Sequence, residues 1–261
     1  MKAVVLAIGG LDPGGGAGLA ADIRAIARGG AFAGPVAAVL TIQSTNGLRR
    51  VIPVPAATWR AQAEEVLLHQ NVRALKFGAL ASAANVRAAR DLARASRLPV
   101  VVDPVIAPTR GKERLLDRSA MKALHELISE ATIVTPNIGE AEAILGRRIE
   151  DLEAAKEAAL ALASLGSRAV LLKGGHLAGA RAVDILVIGK KSKLLSRRRL
   201  MLPPLHGGGC TLASLIAAGL ARAQSPLTAP AIERAVRRAR VQHRAALVRA
   251  IDVGGKLHVL E

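Results

Sequence analysis

The chain has 261 residues, 51% of them hydrophobic, one cysteine, no tyrosine and a formal charge of +17. That apolar content excludes general disorder, and a single thiol excludes an intramolecular disulfide framework or a cysteine-rich zinc site. With aromatic residues at 1%, a base-stacking platform for nucleic acid is disfavoured, and the charge is read as a solvated surface that steers anionic substrates.

The opening run 2–8 is short, apolar and followed directly by glycines, which predicts a core strand and not a secretory signal. No apolar run approaches the ~18 residues of a membrane span, so a cytoplasmic protein is expected. Short β-branched runs then alternate with alanine-rich stretches of helical length, the pattern of βαβ units around a mostly parallel sheet. Strands are predicted over 2–8, 35–41, 74–77, 100–102, 132–134, 169–172, 183–188 and 194–202. Helices are predicted over 19–28, 59–69, 83–95, 119–128, 138–145, 152–165, 211–223 and 231–250. The last two strands have no helix between them, which predicts an antiparallel finish at one edge. No linker or repeat interrupts the chain, so a single domain over 1–261 is expected.

Polar and glycine-rich segments recur at the carboxyl ends of the predicted strands, where open parallel sheets bind ligands. The first strand runs into Gly10-Leu11-Asp12-Pro13-Gly14-Gly15-Gly16-Ala17-Gly18, ahead of a helix bearing Asp22. This run has neither P-loop nor dinucleotide-fingerprint spacing; alone it implies only a close approach to the backbone. The second strand delivers Gln43, whose amide suits the edge of an aminopyrimidine or pyridine ring, or pairs with loop backbone. Asp103, with Val105 beyond it, follows three valines, where a carboxylate needs a cation, a hydrogen-bond network or water. Mg²⁺ is a reasonable partner.

Asn137 and Glu140 stand at a helix start and read either as a capping pair or as part of a Mg²⁺–phosphate network. Strand 169–172 leads into Lys173-Gly174-Gly175-His176, which places an ammonium at the sheet edge. Last comes Leu205-His206-Gly207-Gly208-Gly209-Cys210-Thr211. Its glycines allow amides to converge on an anion, and the helix behind them adds unpaired N–H groups. A thiol in that position is expected to be pushed toward thiolate; the alternative is that Cys210 is simply a small buried residue.

Taken in order, these segments resemble the hydroxymethylpyrimidine/phosphomethylpyrimidine kinases of thiamine biosynthesis, members of the ribokinase-like superfamily. The resemblance covers about four-fifths of the chain, from the first strand to the helix after Cys210. It implies a three-layer αβα sandwich with a mostly parallel central sheet and antiparallel edge strands. It also implies Mg-ATP-dependent phosphorylation of 4-amino-5-hydroxymethyl-2-methylpyrimidine and of its monophosphate, by a homodimer. On this resemblance Cys210 is the catalytic base, and Gly207, Gly208 and Gly209 form the anion hole with Lys173 beside the nucleotide phosphates. Gly10, Asp12, Ala17, Asp22, Gln43 and Val105 would contact substrate, Asn137, Glu140 and Thr211 the ATP phosphates, and Asp103 with Glu140 the metal. The chain departs from the family pattern at Leu11, Ala79, Leu205 and Gly208, where serine, methionine and two threonines are usual. The alternatives are a pyridoxine/pyridoxal kinase, a catalytically weakened ligand-binding relative, or a nucleic-acid binder.

Overall fold

The computed structural model describes residues 1–108, 115–175 and 179–261. Its strands in chain order are β1 (Val4–Leu11), β2 (Phe32–Ser44), β3 (Gly47–Pro53), β4 (Val72–Phe77), β5 (Val100–Val102), β6 (Ile133–Val134), β7 (Ala169–Leu172), β8 (Arg181–Ile188), β9 (Lys191–Arg198), β10 (Leu205–His206) and β11 (His258–Val259). The helices are α1 (Gly18–Arg28), α2 (Ala56–His69), α3 (Ala83–Ser96), α4 (Met121–Ser129), α5 (Ile138–Leu145), α6 (Leu152–Ala163), α7 (Gly208–Ala221) and α8 (Ala229–Val248).

Nine strands form one sheet in the order β3-β2-β1-β4-β5-β6-β7-β8-β9. Its centre, from β2 through β7, is parallel, while β3 at one edge and β8 and β9 at the other are antiparallel. The expected αβα architecture is therefore present, with antiparallel strands at both edges and not at one. The second edge was missed because β3 carries Arg49 and Arg50 and breaks the apolar alternation; a tight turn at Thr45 and Asn46 folds it back on β2.

Side chains alternate across the pleat with a period of two. Val4, Leu6, Ile8, Leu75, Phe77, Val100, Val102, Val134, Val170 and Leu172 pack on the side covered by α2 to α6. Val5, Ala7, Ala74, Val101, Ile133, Ala169 and Leu171 face α1, α7 and α8. Sheet strands buried on both faces read as continuous apolar runs, which is why they were legible in the sequence. One residue breaks the pattern: Lys76 points to the α1/α7 side with no exposure at all.

A second, two-stranded parallel sheet joins β10 to β11 and was not anticipated, because two residues carry no periodicity. Helix α7 begins at Gly208, three residues ahead of the predicted start, so Cys210 lies within its first turn.

Candidate active site

A cavity of about 650 Å³ opens at the carboxyl ends of the central strands. Gly10, Asp12, Ala17, Gln43, Val105, Asp103, Asn137, Glu140, Lys173, Gly207, Gly208, Gly209 and Cys210 all line it. Sequence segments as far apart as residues 10 and 210 are thus gathered at one end of the sheet, as chain reversal through parallel βα units requires.

The cation end is built from three strand exits. The amide of Asp103 donates to Phe77 O at 2.9 Å as the chain leaves β5. Lys173 leaves β7 with its amide on Pro136 O at 2.8 Å, which sets it beside Asn137. Its ammonium is 3.0 Å from Asp103 Oδ1 and 4.0 Å from Glu140 Oε2. Thr135 Oγ1 donates to the same Asp103 oxygen at 3.2 Å. Asn137 and Glu140 form a complete capping box: Asn137 N donates to Glu140 Oε2 at 2.8 Å, and Glu140 N donates to Asn137 Oδ1 at 2.9 Å. The capping reading is therefore correct, yet both residues also face the cavity.

Burial raises the Glu140 carboxyl, Lys173 opposes that and Asp103 adds to it, leaving Glu140 at about 7. Burial alone would lower the Lys173 ammonium, but the carboxylates of Asp103 and Glu140 hold it above its ordinary value. The cation end thus keeps one permanent positive charge between two carboxyl groups.

The anion loop faces this cluster. Gly207 has φ +80°, and any Cβ there would collide with the Gly16 carbonyl, so only glycine allows the two loops to touch. At Gly209 the Cβ direction points at Lys173 Nζ, 3.1 Å away, and at Asp103 Oδ2, 3.8 Å away. A side chain there would fill the space between the loop and the cation end. The N-terminus of α7 aims its unpaired amides into the same space.

At the other end, Asp12 pins its own loop. It accepts from Gly14 N at 2.9 Å, from Ala17 N at 2.8 Å, and lies 2.9 Å from His206 Nε2. Burial raises its carboxyl, but His206 and the two amides outweigh that and hold it below the usual carboxylate value. Gln43 Nε2 also lies 2.9 Å from His206 Nε2. The Gln43 side chain therefore lies against a histidine ring, and not on loop backbone. One ring nitrogen cannot donate to Asp12 and accept from the amide at once. With Nε2–H given to Asp12, the Gln43 amide is free to exchange this contact for a ligand.

Three expectations need correction. Asp22 does not reach the cavity: it is fully buried, with Lys76 Nζ at 2.9 and 3.0 Å and Ser214 Oγ donating at 2.7 Å. Thr211 is buried in α7, its amide on Gly207 O at 2.9 Å, and it does not line the cavity. The thiol of Cys210 is not pushed toward thiolate. Burial drives it up to about 12; Lys76 pulls it down, while Asp103 and Asp22 push it further up. Desolvation and two carboxylates outweigh Lys76 and the Gly18 backbone contact. His176 lies outside the described residues.

Reading by residue type missed Lys76 and Leu257, both of which line the cavity. A lysine between Leu75 and Phe77 in a buried strand was an available signal. Leu257 had none. Among the described residues no group of three or more His, Cys, Asp or Glu side chains could hold a metal, and no helix is long and apolar enough to cross a membrane.

Residues 12–259 match the profile of the phosphomethylpyrimidine kinase family. A hydroxymethylpyrimidine/phosphomethylpyrimidine kinase of Streptomyces coelicolor is 37% identical over 97% of this chain and 91% of its own. Among solved structures, a Clostridium difficile phosphomethylpyrimidine kinase superposes with a TM-score of 0.79 at 32% identity, over 94% of this chain and 99% of its own. A Bacillus subtilis pyridoxal kinase bound to ADP has a TM-score of 0.89 at 26% identity, over 100% of this chain and 97% of its own. With motif order, site geometry and these likenesses in agreement, the chain belongs to the phosphomethylpyrimidine kinase family.

Proposed function

We propose that this chain transfers the γ-phosphoryl group of ATP to the hydroxymethyl group of 4-amino-5-hydroxymethyl-2-methylpyrimidine, and then to the resulting monophosphate, in thiamine biosynthesis. The reading is carried by one observation: Lys173 and Asp103 lie directly opposite Gly209 in a cavity that also holds Gln43 and Cys210. Phosphoryl transfer needs positioning and charge stabilisation more than covalent help from the protein. Both are supplied here.

In this proposal the acceptor ring lies among Gly10, Asp12, Ala17, Gln43 and Val105, with the Gln43 amide on its polar edge. The amides of Gly207, Gly208 and Gly209 and the Lys173 ammonium take the charge that gathers on the transferred group. The acceptor oxygen forms its bond to the γ-phosphorus as the bond from that phosphorus to the β–γ bridging oxygen breaks, and ADP leaves. The hydroxyl proton passes to the minor thiolate fraction of Cys210: burial and two carboxylates keep the group mostly protonated, and Lys76 is the cation that favours the charged form.

Asp103 and Glu140 are hard oxygen donors, which fit an ion that keeps water and phosphate oxygens as its other ligands. Mg²⁺ bound there would neutralise phosphate charge, with Lys173 held between the same two carboxyl groups. The proposal extends to a single kinase domain over 1–261, acting as a cytoplasmic homodimer. Light scattering tests the oligomer.

A pyridoxal-type acceptor is the second reading, favoured by the likeness to pyridoxal kinase over 100% of the chain. ADP release measured with the pyrimidine alcohol, its monophosphate, pyridoxine and pyridoxal separates the two. Turnover with the pyrimidines at least about tenfold above the pyridines in kcat/KM is the expected result. ADP release with neither ring class would refute the proposal.

A further inference from the structure

Residues 251–261 are tied on both sides, across the acceptor end of the cavity. On one side, His258 and Val259 pair in parallel with Leu205 and His206, and His258 N donates to Pro204 O at 2.9 Å. On the other, Thr45 Oγ1 donates to Gly254 O at 2.6 Å, and Arg24 Nε donates to Leu260 O at 3.2 Å. The segment also closes on itself: Ile251 N donates to Val259 O at 2.9 Å, and Val259 N to Ile251 O at 3.0 Å.

It thereby joins the β2–β3 turn, helix α1 and the strand that enters the anion loop. Leu257 sits between these attachments, 2% exposed, and lines the cavity with Gln43, Leu205 and His206. Gly255, at φ +88°, is required by the fit, because a Cβ there would run into the Thr45 hydroxyl.

We propose that segment 251–261 is a strap completing the acceptor pocket, and that Leu257 sets the size of ring substituent the pocket admits. This rests on the kinase reading above. Leu257 brings no hydrogen-bonding group, so it selects by volume, while orientation falls to Gln43. An apolar wall of this kind discriminates one methylene by about 10–200-fold. The strap also holds Thr45, two residues from Gln43, and His206, which touches Gln43. Undocking it would loosen the polar end of the pocket as well.

The test is steady-state kinetics on the full chain with ATP and two acceptors, the 2-methyl pyrimidine alcohol and its 2-ethyl homologue. Leu257→Ala is expected to raise the homologue-to-parent ratio of kcat/KM by about tenfold or more, and Leu257→Phe to lower it similarly. Both should leave the KM for ATP within about twofold. Leu257→Met, close in volume, should behave as the parent, and Leu257→Ala carries the test if the phenylalanine variant does not fold. Folded Gly255→Ala should raise the acceptor KM without changing any cavity-lining side chain. An unchanged ratio in Leu257→Ala or in folded Leu257→Phe, or an unchanged acceptor KM in folded Gly255→Ala, overturns the inference even where Gln43→Ala still impairs acceptor use. A parent protein that forms no ADP with either pyrimidine overturns the kinase reading, and the inference with it.

Discussion

Lys76 Nζ lies 2.9 and 3.0 Å from the two carboxylate oxygens of Asp22, and neither side chain has any exposure. The pair joins β4, where Lys76 forms part of the cavity floor, to α1 beneath it, and Ser214, one helical turn after Cys210, completes it through Asp22. Isolated buried ion pairs contribute little net stability, since desolvation offsets their attraction, but removing one partner strands the other. Lys76→Met is therefore expected to cost about 3–5 kcal/mol in a urea unfolding experiment. The double variant Lys76→Met with Asp22→Leu should recover most of that loss. A single variant as stable as the parent would show that the pair does not hold these elements together.

The thiol of Cys210 should be unreactive near neutral pH. Its ionisation is pushed up to about 12, chiefly by burial, so the thiolate fraction rises about tenfold per pH unit below that value. As the chain's only cysteine, its alkylation by iodoacetamide is read directly as a mass shift. The expected rate climbs without a plateau from pH 7 to pH 10 in the ligand-free protein; a plateau below pH 9 would contradict it. Cys210→Ala should lower kinase turnover by about 10²–10⁴-fold, the range of general-base losses, with the circular dichroism spectrum unchanged.

Glu140 should make the protein less stable as pH rises through neutrality. Its folded value is about 7 against an ordinary 4.5, raised chiefly by burial. The folded state then binds more protons than the unfolded state between those values, so stability falls as pH rises across that window. Glu140→Gln keeps an acceptor for the Asn137 amide and removes the titration. Its stability should change less between pH 4.5 and pH 7 in metal-free buffer, while its turnover with Mg-ATP falls. Parallel pH–stability curves for the two proteins would rule the assignment out.

Adjacent glycines of the anion loop should differ sharply in tolerance. At Gly208 the nearest atom to a new Cβ is His243 Nε2 at 3.7 Å, an ordinary contact. At Gly207 the backbone has positive φ and the Gly16 carbonyl occupies the space. Gly208→Ala should stay within about 0.5 kcal/mol of the parent, whereas Gly207→Ala should lose about 1–3 kcal/mol or more. Thermal unfolding of the two variants decides this. Equal losses would place both glycines in the same steric situation, contrary to the geometry.

Much of the architecture was readable from residue order. Buried parallel strands such as Val100–Val102 and Ala169–Leu172 are apolar on both faces and stood out at once. Strand β3 did not, because Arg49 and Arg50 face solvent at an edge and mask the pattern. The capping box at Asn137 and Glu140 was legible because its two residues are three apart on one helix. The network at Asp22 was not: its partners, Lys76 and Ser214, lie 54 and 192 residues away in sequence.

By itself, then, the order of residues established the layered fold, the glycine loops and the chemical types gathered at the strand ends. These follow from local periodicity and backbone freedom, which neighbouring residues determine. Tertiary structure alone decided that Asp22 lies under the cavity, that burial pushes the Cys210 thiol up, and that Leu257 reaches the cavity. Desolvation and pair distances depend on segments far apart in the chain, so no local window of sequence contains them.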